Sequence, residues 1–337
     1  MLPGTGFVAA GVGLDDQLGS AIEIDVPAAA EVVQVLLYWQ GRGDADDTVT
    51  AEGHSVTGTI VGLGNVATPR TIASTFRADI TPLNLVGSGR NTIHVMDSSF
   101  SYRDDGAALI VIYASHDNVA EFQLREGADF AYQFATSAAA QTTEKQVFEF
   151  SPSELDREAR LTFLIGDGEL ARPDDVEVTV GDQLLTFSNQ ARSRDGDQWD
   201  TVDLTVPVPA GITSASAQLF SRDLDDTGAN PDSIVWVATT FGFLVPECES
   251  RIAGQVWNDT DRDGVEDEAE PSFGKGIVLL LRDSDGQLVD TALTGILGRY
   301  AFAGLCPEEF TVEVDENSLP SGLLRSECNL GPGRNEQ

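Results

Sequence analysis

Apolar and polar residues alternate with a period of two along most of this chain. A strand projects successive side chains to opposite faces, so this period predicts half-buried strands. Phe7 to Val12 and Ala21 to Val26 are the first two, with a turn around Gly13, Asp15 and Asp16 between them. Val32 to Trp39 is a stronger one, ending in the polar loop Gly41 to Asp47. Shorter runs follow at 48–52, 55–62, 75–80 and 91–96. Ala107 to Tyr113 is apolar at almost every position, which predicts a central strand covered on both faces. From residue 118 the pattern renews, with strands expected at 118–124, 129–134, 145–150, 159–165, 175–180, 183–188, 200–206, 214–221 and 233–245. Turn signals separate them at the spacing of a β-sandwich. One helical turn is expected near Ser153 to Arg157, capped by Ser151 or Ser153. Pro246 to Arg251 reads as a joint.

Composition narrows the function. The 337 residues suggest two or three domains, and 33 glycines against 2 methionines suit a β-rich chain. The net charge is −35, from 55 acidic and 20 basic residues. Such a surface repels phosphates and anionic lipids, so neither nucleic acid nor a membrane surface is an expected partner. It favours metal cations. No run reaches the ~18 apolar residues of a membrane helix; the longest candidate, Ile234 to Val245, is interrupted by threonines and a glycine. Met1-Leu2-Pro3-Gly4 has neither the charged nor the apolar part of a signal peptide, so the chain reads as a mature or recombinant piece of a secreted protein.

The densest chemistry lies at Asp259-Thr260-Asp261-Arg262-Asp263-Gly264-Val265-Glu266-Asp267-Glu268-Ala269-Glu270. It fits the calcium-loop spacing D-x-[DN]-x-[DN]-G-x5-E. Calcium takes about six to eight oxygens, and alternate residues of a tight loop point inward to supply them. Asp259, Asp261 and Asp263 offer carboxylates, Val265 its carbonyl, Asp267 a direct or water-mediated contact, and Glu270 a bidentate closure. The flanks, Ile252 to Trp257 and Ile277 to Leu281, alternate as strands, so the loop joins strands rather than helices.

Together with Gly254, Val256-Trp257, Pro271, the turn Asp283-Ser284-Asp285-Gly286, Gly298-Arg299-Tyr300-Ala301-Phe302 and Leu319-Pro320-Ser321-Gly322, this segment resembles the SdrD B-like, prealbumin-like repeat of bacterial surface proteins. The resemblance implies a small prealbumin-like or Ig-like β-sandwich over 252–322, stiffened by Ca2+ and used as a spacer, with a tail at 323–337. It implies a second calcium at Asp283 and Asp285, and a disulfide between Cys306 and Cys328, leaving Cys248 as the odd cysteine. A disulfide places the chain in an oxidising, extracytoplasmic compartment. An internal isopeptide bond is not expected, because Lys275, the segment's lysine, lies in a turn and the last strand has no suitable asparagine.

The first segment, 5–247, also resembles a known group. Val35 to Trp39 with Gly41, Phe76 to Thr81 and Gly106 to Tyr113 follow one another as in the DUF3344-type β-domain of bacterial surface proteins. That implies an exposed tip domain and brings no functional residues. Three of its acidic loops are candidate cation holders: Asp44, Asp46 and Asp47; Asp195 and Asp197; and Asp223, Asp225, Asp226 and Asp232 with Asn230. Each reads more readily as a solvated loop on an acidic protein.

Catalytic constellations are not found. His54, His94 and His116 lack metal-ligand spacing, and neighbours such as Ser115, His116 and Asp117 point to opposite faces of a strand. Asp167 and Glu169 are the best of many carboxylate pairs for glycoside hydrolysis, which needs two carboxyls across an aromatic-lined cleft. Trp39, Trp199, Trp236 and Trp257 read as core, with Trp199, between Asp197 and Asp200, the one of the four that could instead face a ligand. The expectation is therefore an all-β, non-enzymatic extracellular protein. A large jelly-roll-like β-sandwich, adhesin-like and facing a glycan or protein ligand, precedes the calcium-binding spacer. The alternative is a subunit that assembles with copies of itself into a fibre, sheath or matrix on calcium addition.

Overall fold

The computed structural model describes residues 5–323, apart from 15–18, 29, 45–46, 66–71, 115–121, 154, 193–194, 245–249, 262–268, 285, 306–308 and 321. The chain divides into two units, Met1–Val245 and Pro246–Gln337.

The first unit begins with nine strands: β1 (Thr5–Gly13), β2 (Gly19–Val26), β3 (Glu31–Arg42), β4 (Thr48–Ala51), β5 (His54–Thr57), β6 (Thr59–Asn65), β7 (Ile72–Asp79), β8 (Gly89–Met96) and β9 (Arg103–Ala114). They form one sheet in the order β1-β9-β3-β7-β6 and another in the order β2-β8-β4-β5. With the extra edge strand β6 set aside, this is the strand order of a jelly roll. Its core is the inward set of both sheets, among them Ile22, Ile24, Leu37, Trp39, Phe76, Ile93, Leu109 and Val111.

The same order then repeats. β10 (Phe122–Ala131), β11 (Gln146–Glu149), β12 (Arg157–Gly166), β13 (Asp175–Val180), β14 (Gln183–Ser188), β15 (Trp199–Val208), β16 (Ser214–Phe220) and β17 (Ile234–Leu244) form the sheets β10-β17-β12-β15 and β11-β16-β13-β14. Phe148, Leu161, Phe163, Val178, Leu204, Leu219 and Phe241 fill the second core. The segment read as one large sandwich is thus two jelly rolls in series. Three expectations of local structure need correction. The run expected at 55–62 is two strands, β5 and β6, which belong to different sheets. The strands expected at 118–124 and 129–134 are one strand, β10, which runs through a bulge between Glu126 and Asp129. No helical turn forms near Ser153 to Arg157 among the described residues; Leu155 N–H donates to Ser153 Oγ, and the serine makes a turn instead.

The two rolls meet sheet to sheet along a third apolar layer. Leu36, Tyr38, Ala108 and Ile110 of the first face Phe130, Leu164, Val235 and Val237 of the second. This explains the nearly continuous apolar runs of β9 and β17, each buried on both faces. Glycines let the backbones approach. A side chain at Gly11 or Gly106 would overlap the Trp199 indole, and one at Gly62 would overlap the backbone at Gly127 and Ala128. Trp199 is therefore fully buried, seated in a glycine-walled socket of the first roll. The core reading of Trp199 holds, and the alternative of an exposed ligand platform is set aside.

The second unit contains β18 (Ser250–Gln255), β19 (Val278–Arg282), β20 (Leu288–Leu293), β21 (Arg299–Leu305) and β22 (Thr311–Val314). β18 pairs with β21, and a three-stranded sheet has the order β20-β19-β22. Among the described residues its buried cluster is Ile277, Leu279, Leu281, Phe302 and Leu305, with Ile252, Phe273 and Val312 packed around it.

Candidate metal centre

β18 leads directly into the acidic loop, whose neck is closed by backbone bonds. Asn258 N–H donates to Pro271 O at 3.0 Å, Phe273 N–H to Val256 O at 2.9 Å, and Trp257 bridges Ser272. The neck fixes Asp259 and Glu270 across from one another. Ligand oxygens of Asp259, Asp261 and Glu270 all lie within 4.8 Å of one another. Two oxygens on opposite sides of a calcium ion stand about 5 Å apart, at 2.3–2.6 Å each, so these three fit such an ion. Thr260, which the motif leaves unspecified, holds the closing residue: its N–H donates to Glu270 Oε1 at 2.6 Å and its hydroxyl at 3.3 Å. Asp263, Val265 and Asp267 lie outside the described residues. The donors are all hard oxygens, a set suited to calcium or magnesium and not to a thiophilic metal.

The other proposed sites are placed differently. Asp283 Oδ1 accepts the Gln287 N–H at 2.8 Å, and its carbonyl accepts that of Gly286, closing the turn; Asp285 is outside the described residues. Cys248, Cys306, Cys328 and Asp46 are outside them as well. Asp223 accepts N–H groups of Thr227 and Gly228, Asp225 accepts the Asn189 amide, and Asp226 has φ 51°. Asp232 turns inward, away from that loop, to the Glu169 N–H and Arg172. Asp195 caps the Thr201 N–H at 2.8 Å, and Asp47 accepts the Thr48 hydroxyl. Among the described residues, Asp259, Asp261 and Glu270 are the one group of three that converges as metal ligands do.

A second polar centre, unforeseen in the sequence, fastens the two jelly rolls. Asp167, at the end of β12, meets Arg42 Nη2 at 2.7 Å, Arg103 Nη2 at 2.9 Å and the Ser233 hydroxyl at 2.8 Å. Asp105 lies beneath the same two guanidinium groups, at 3.5 and 3.4 Å. Burial pushes the Asp105 carboxyl well above its usual range and Asp167 up to about 6, against the pull of Arg42. Desolvation likewise takes Asp232 up to about 8. With both Asp167 oxygens engaged by donors, the pair Asp167 and Glu169 does not present the open carboxylates of a glycosidase. Arg42 and Arg103 escaped the sequence reading because each sits at a strand end that reads as a polar loop.

Residues 250–336 match the SdrD B-like domain. Serine-aspartate repeat-containing protein F of Staphylococcus epidermidis is 36% identical over 90 residues, which is 27% of this chain and 5% of that protein. Serine-aspartate repeat-containing protein C of Staphylococcus aureus strain Newman is 37% identical over 76 residues, 23% of this chain and 8% of its own. The chain thus spans less than a tenth of these relatives. Among solved structures, PNGase F, a glycosylasparaginase from Flavobacterium meningosepticum, covers 71% of this chain and 95% of its own at 11% identity, with a TM-score of 0.25. Dimeric latent PorU from Porphyromonas gingivalis covers 93% and 32% at 9% identity, also at 0.25. Scores this low bear on neither fold nor function. No helix among the described residues is long and apolar enough to cross a membrane.

Proposed function

We propose that this chain is a non-enzymatic bacterial surface protein, in which tandem jelly rolls form an adhesin-like part and the SdrD B-like unit is a calcium-stiffened spacer. The observation that carries this reading is the convergence of Asp259, Asp261 and Glu270 within 4.8 Å, in a loop with calcium-binding spacing. Asp263, Val265 and Asp267 complete the ligand set, and Asp283 with Asp285 forms a weaker second site. Bound calcium neutralises carboxylates that otherwise repel one another. Because it binds only the folded loop, its binding free energy becomes stability of the small unit. The first unit, read as a DUF3344-type β-domain, holds its two rolls as one body through the Asp167 clasp, which keeps any glycan- or protein-binding surface spanning them in fixed shape. An extracellular location and a Cys306–Cys328 disulfide belong to the same reading.

The test is size and melting temperature of the purified chain in millimolar calcium and then in EDTA. A calcium-dependent rise in melting with the particle size unchanged supports the spacer. Calcium-driven growth into long particles replaces it with the fibre-subunit reading. A chain indifferent to calcium sinks the metal centre.

A further inference from the structure

β20 is an edge strand. It pairs with β19 on one side and, among the described residues, with nothing on the other. Thr294 shows which way the backbone faces: its N–H reaches Ile277 O at 2.9 Å and its carbonyl accepts Gly276 N–H at 3.1 Å, both towards β19. Alternation along the strand then turns Ala292 inward and Thr291 and Leu293 to the free edge. The Thr291 N–H is accordingly outside the ladder and donates to its neighbour's carboxylate, Asp290 Oδ1, at 2.7 Å. Leu288, Val289, Leu293, Ile296 and Leu297 are 49–82% exposed, and Asp290 is the one charged residue from 288 to 298 of a chain otherwise rich in charge. An apolar, charge-poor edge of this kind is a template for another strand.

We propose that β20 pairs antiparallel with β20 of a second copy of this chain, about a two-fold axis through Thr291. The strand is self-complementary in this register. Thr291 faces Thr291 of the second copy and the two exchange backbone bonds, while Val289, at a bulge in the strand, lies opposite Leu293. Val278 and Leu280, which register with Leu293 and Thr291, continue the apolar stripe across the joined sheets. Asp290 lies opposite Ala292 rather than opposite itself. Moving the axis by one residue, to Asp290, sets two carboxylates face to face, which selects the Thr291 register. Asp290 is also the gate: its carboxylate must release the Thr291 N–H before the second copy's carbonyl takes it. The joint is short, so the dimer is weak, and a net charge of −35 on each copy opposes it until salt screens the repulsion. The inference concerns the edge of the sheet and does not rest on the calcium reading.

The test is sedimentation velocity of the full chain over a concentration series, at low and high salt, in calcium and again in EDTA, with melting recorded separately to follow the metal centre. Expected are reversible dimers favoured by salt, about tenfold weaker association in Leu293→Lys, and tighter association in Asp290→Ser. Leu184→Lys, on the exposed edge strand β14 of the other unit, serves as the control and leaves association unchanged. Monomers at every concentration in both the parent chain and Asp290→Ser overturn the proposal. So does equal association of Leu293→Lys and the parent, or an equal loss in Leu184→Lys.

Discussion

The seam of the first unit and the loop of the second both gather carboxylates, and they answer the resulting charge differently. At the seam the protein supplies its own cations: Arg42 and Arg103 come from β3 and β9 to meet Asp167 at the end of β12. At the loop, Asp259, Asp261 and Glu270 bring ligand oxygens within 4.8 Å of one another, a group that could hold an ion. The apolar support differs in the same direction. The first unit has two sandwich cores and an apolar layer between them, whereas the second, among the described residues, has a buried cluster of five side chains. A small core leaves little margin, so an external staple matters more there. The difference teaches that the seam carries its own counter-charge, whereas on the calcium reading proposed above the loop borrows one and answers to its surroundings.

The sharpest way to break this contrast is Asp167→Ala. It leaves two guanidinium groups side by side in a dry seam with Asp105 as their remaining counter-charge. Removing one partner of a buried pair costs about 3–5 kcal/mol. Urea unfolding of the first unit, followed by the fluorescence of buried Trp199, should report that loss. A loss under about 1 kcal/mol, the scale of an exposed pair, means that apolar packing alone holds the rolls together.

The matching change in the second unit is Asp261→Ala, compared in calcium and in EDTA by calorimetry. The parent chain should show calcium raising the transition of the small unit alone, by about 2.7 kcal/mol when the ion is at a hundredfold excess over its dissociation constant. Asp261→Ala should erase that rise, and Asp223→Ala, in a loop whose Thr227 and Gly228 N–H groups donate to that carboxylate, should leave it intact. A rise that survives Asp261→Ala places the ion elsewhere.

How much of this was legible in the sequence follows the range of each interaction. Strands were legible because alternation is local, and the acidic loop because Asp259 to Glu270 are twelve consecutive residues with fixed spacing, three of whose carboxylates the fold brings together. The renewed pattern after 118 was visible, yet its meaning was not: in each roll the first strand pairs with the last, as β10 does with β17, and nothing local announces that partner. Trp199 was left open to a second reading for the same reason. Its aspartate neighbours suggest solvent, while its socket is made by Gly11 and Gly106, far away in the chain. The clasp is equally non-local, since Arg42 and Asp167 belong to different rolls. β10 was split in two because Gly127 reads as a turn, although the strand tolerates it as a bulge against Trp236.

The mildest prediction sets the two regions in opposition through pH. Asp174 is buried in the second roll, where Gln190 and Ala191 N–H groups donate to it at 3.2 Å; burial pushes its carboxyl up to about 7, and nearby Asp200 adds to the rise. In the unfolded chain the same group titrates near about 3.9. Between those values the folded unit keeps a proton that the unfolded chain has lost, so stability falls as pH rises through that window. Asp232, at about 8, extends the fall to higher pH. Asp174→Asn holds the neutral form at every pH. Its melting should therefore drop less than the parent's between pH 5 and pH 8, by a few degrees at about 2–4 °C per kcal/mol for a unit of this size. Among the described residues the second unit has no buried carboxyl of this kind, so its transition should not share that fall. Melting the whole chain across that range reads both at once, and a common drift of the two transitions in one direction would dissolve the distinction between the two regions.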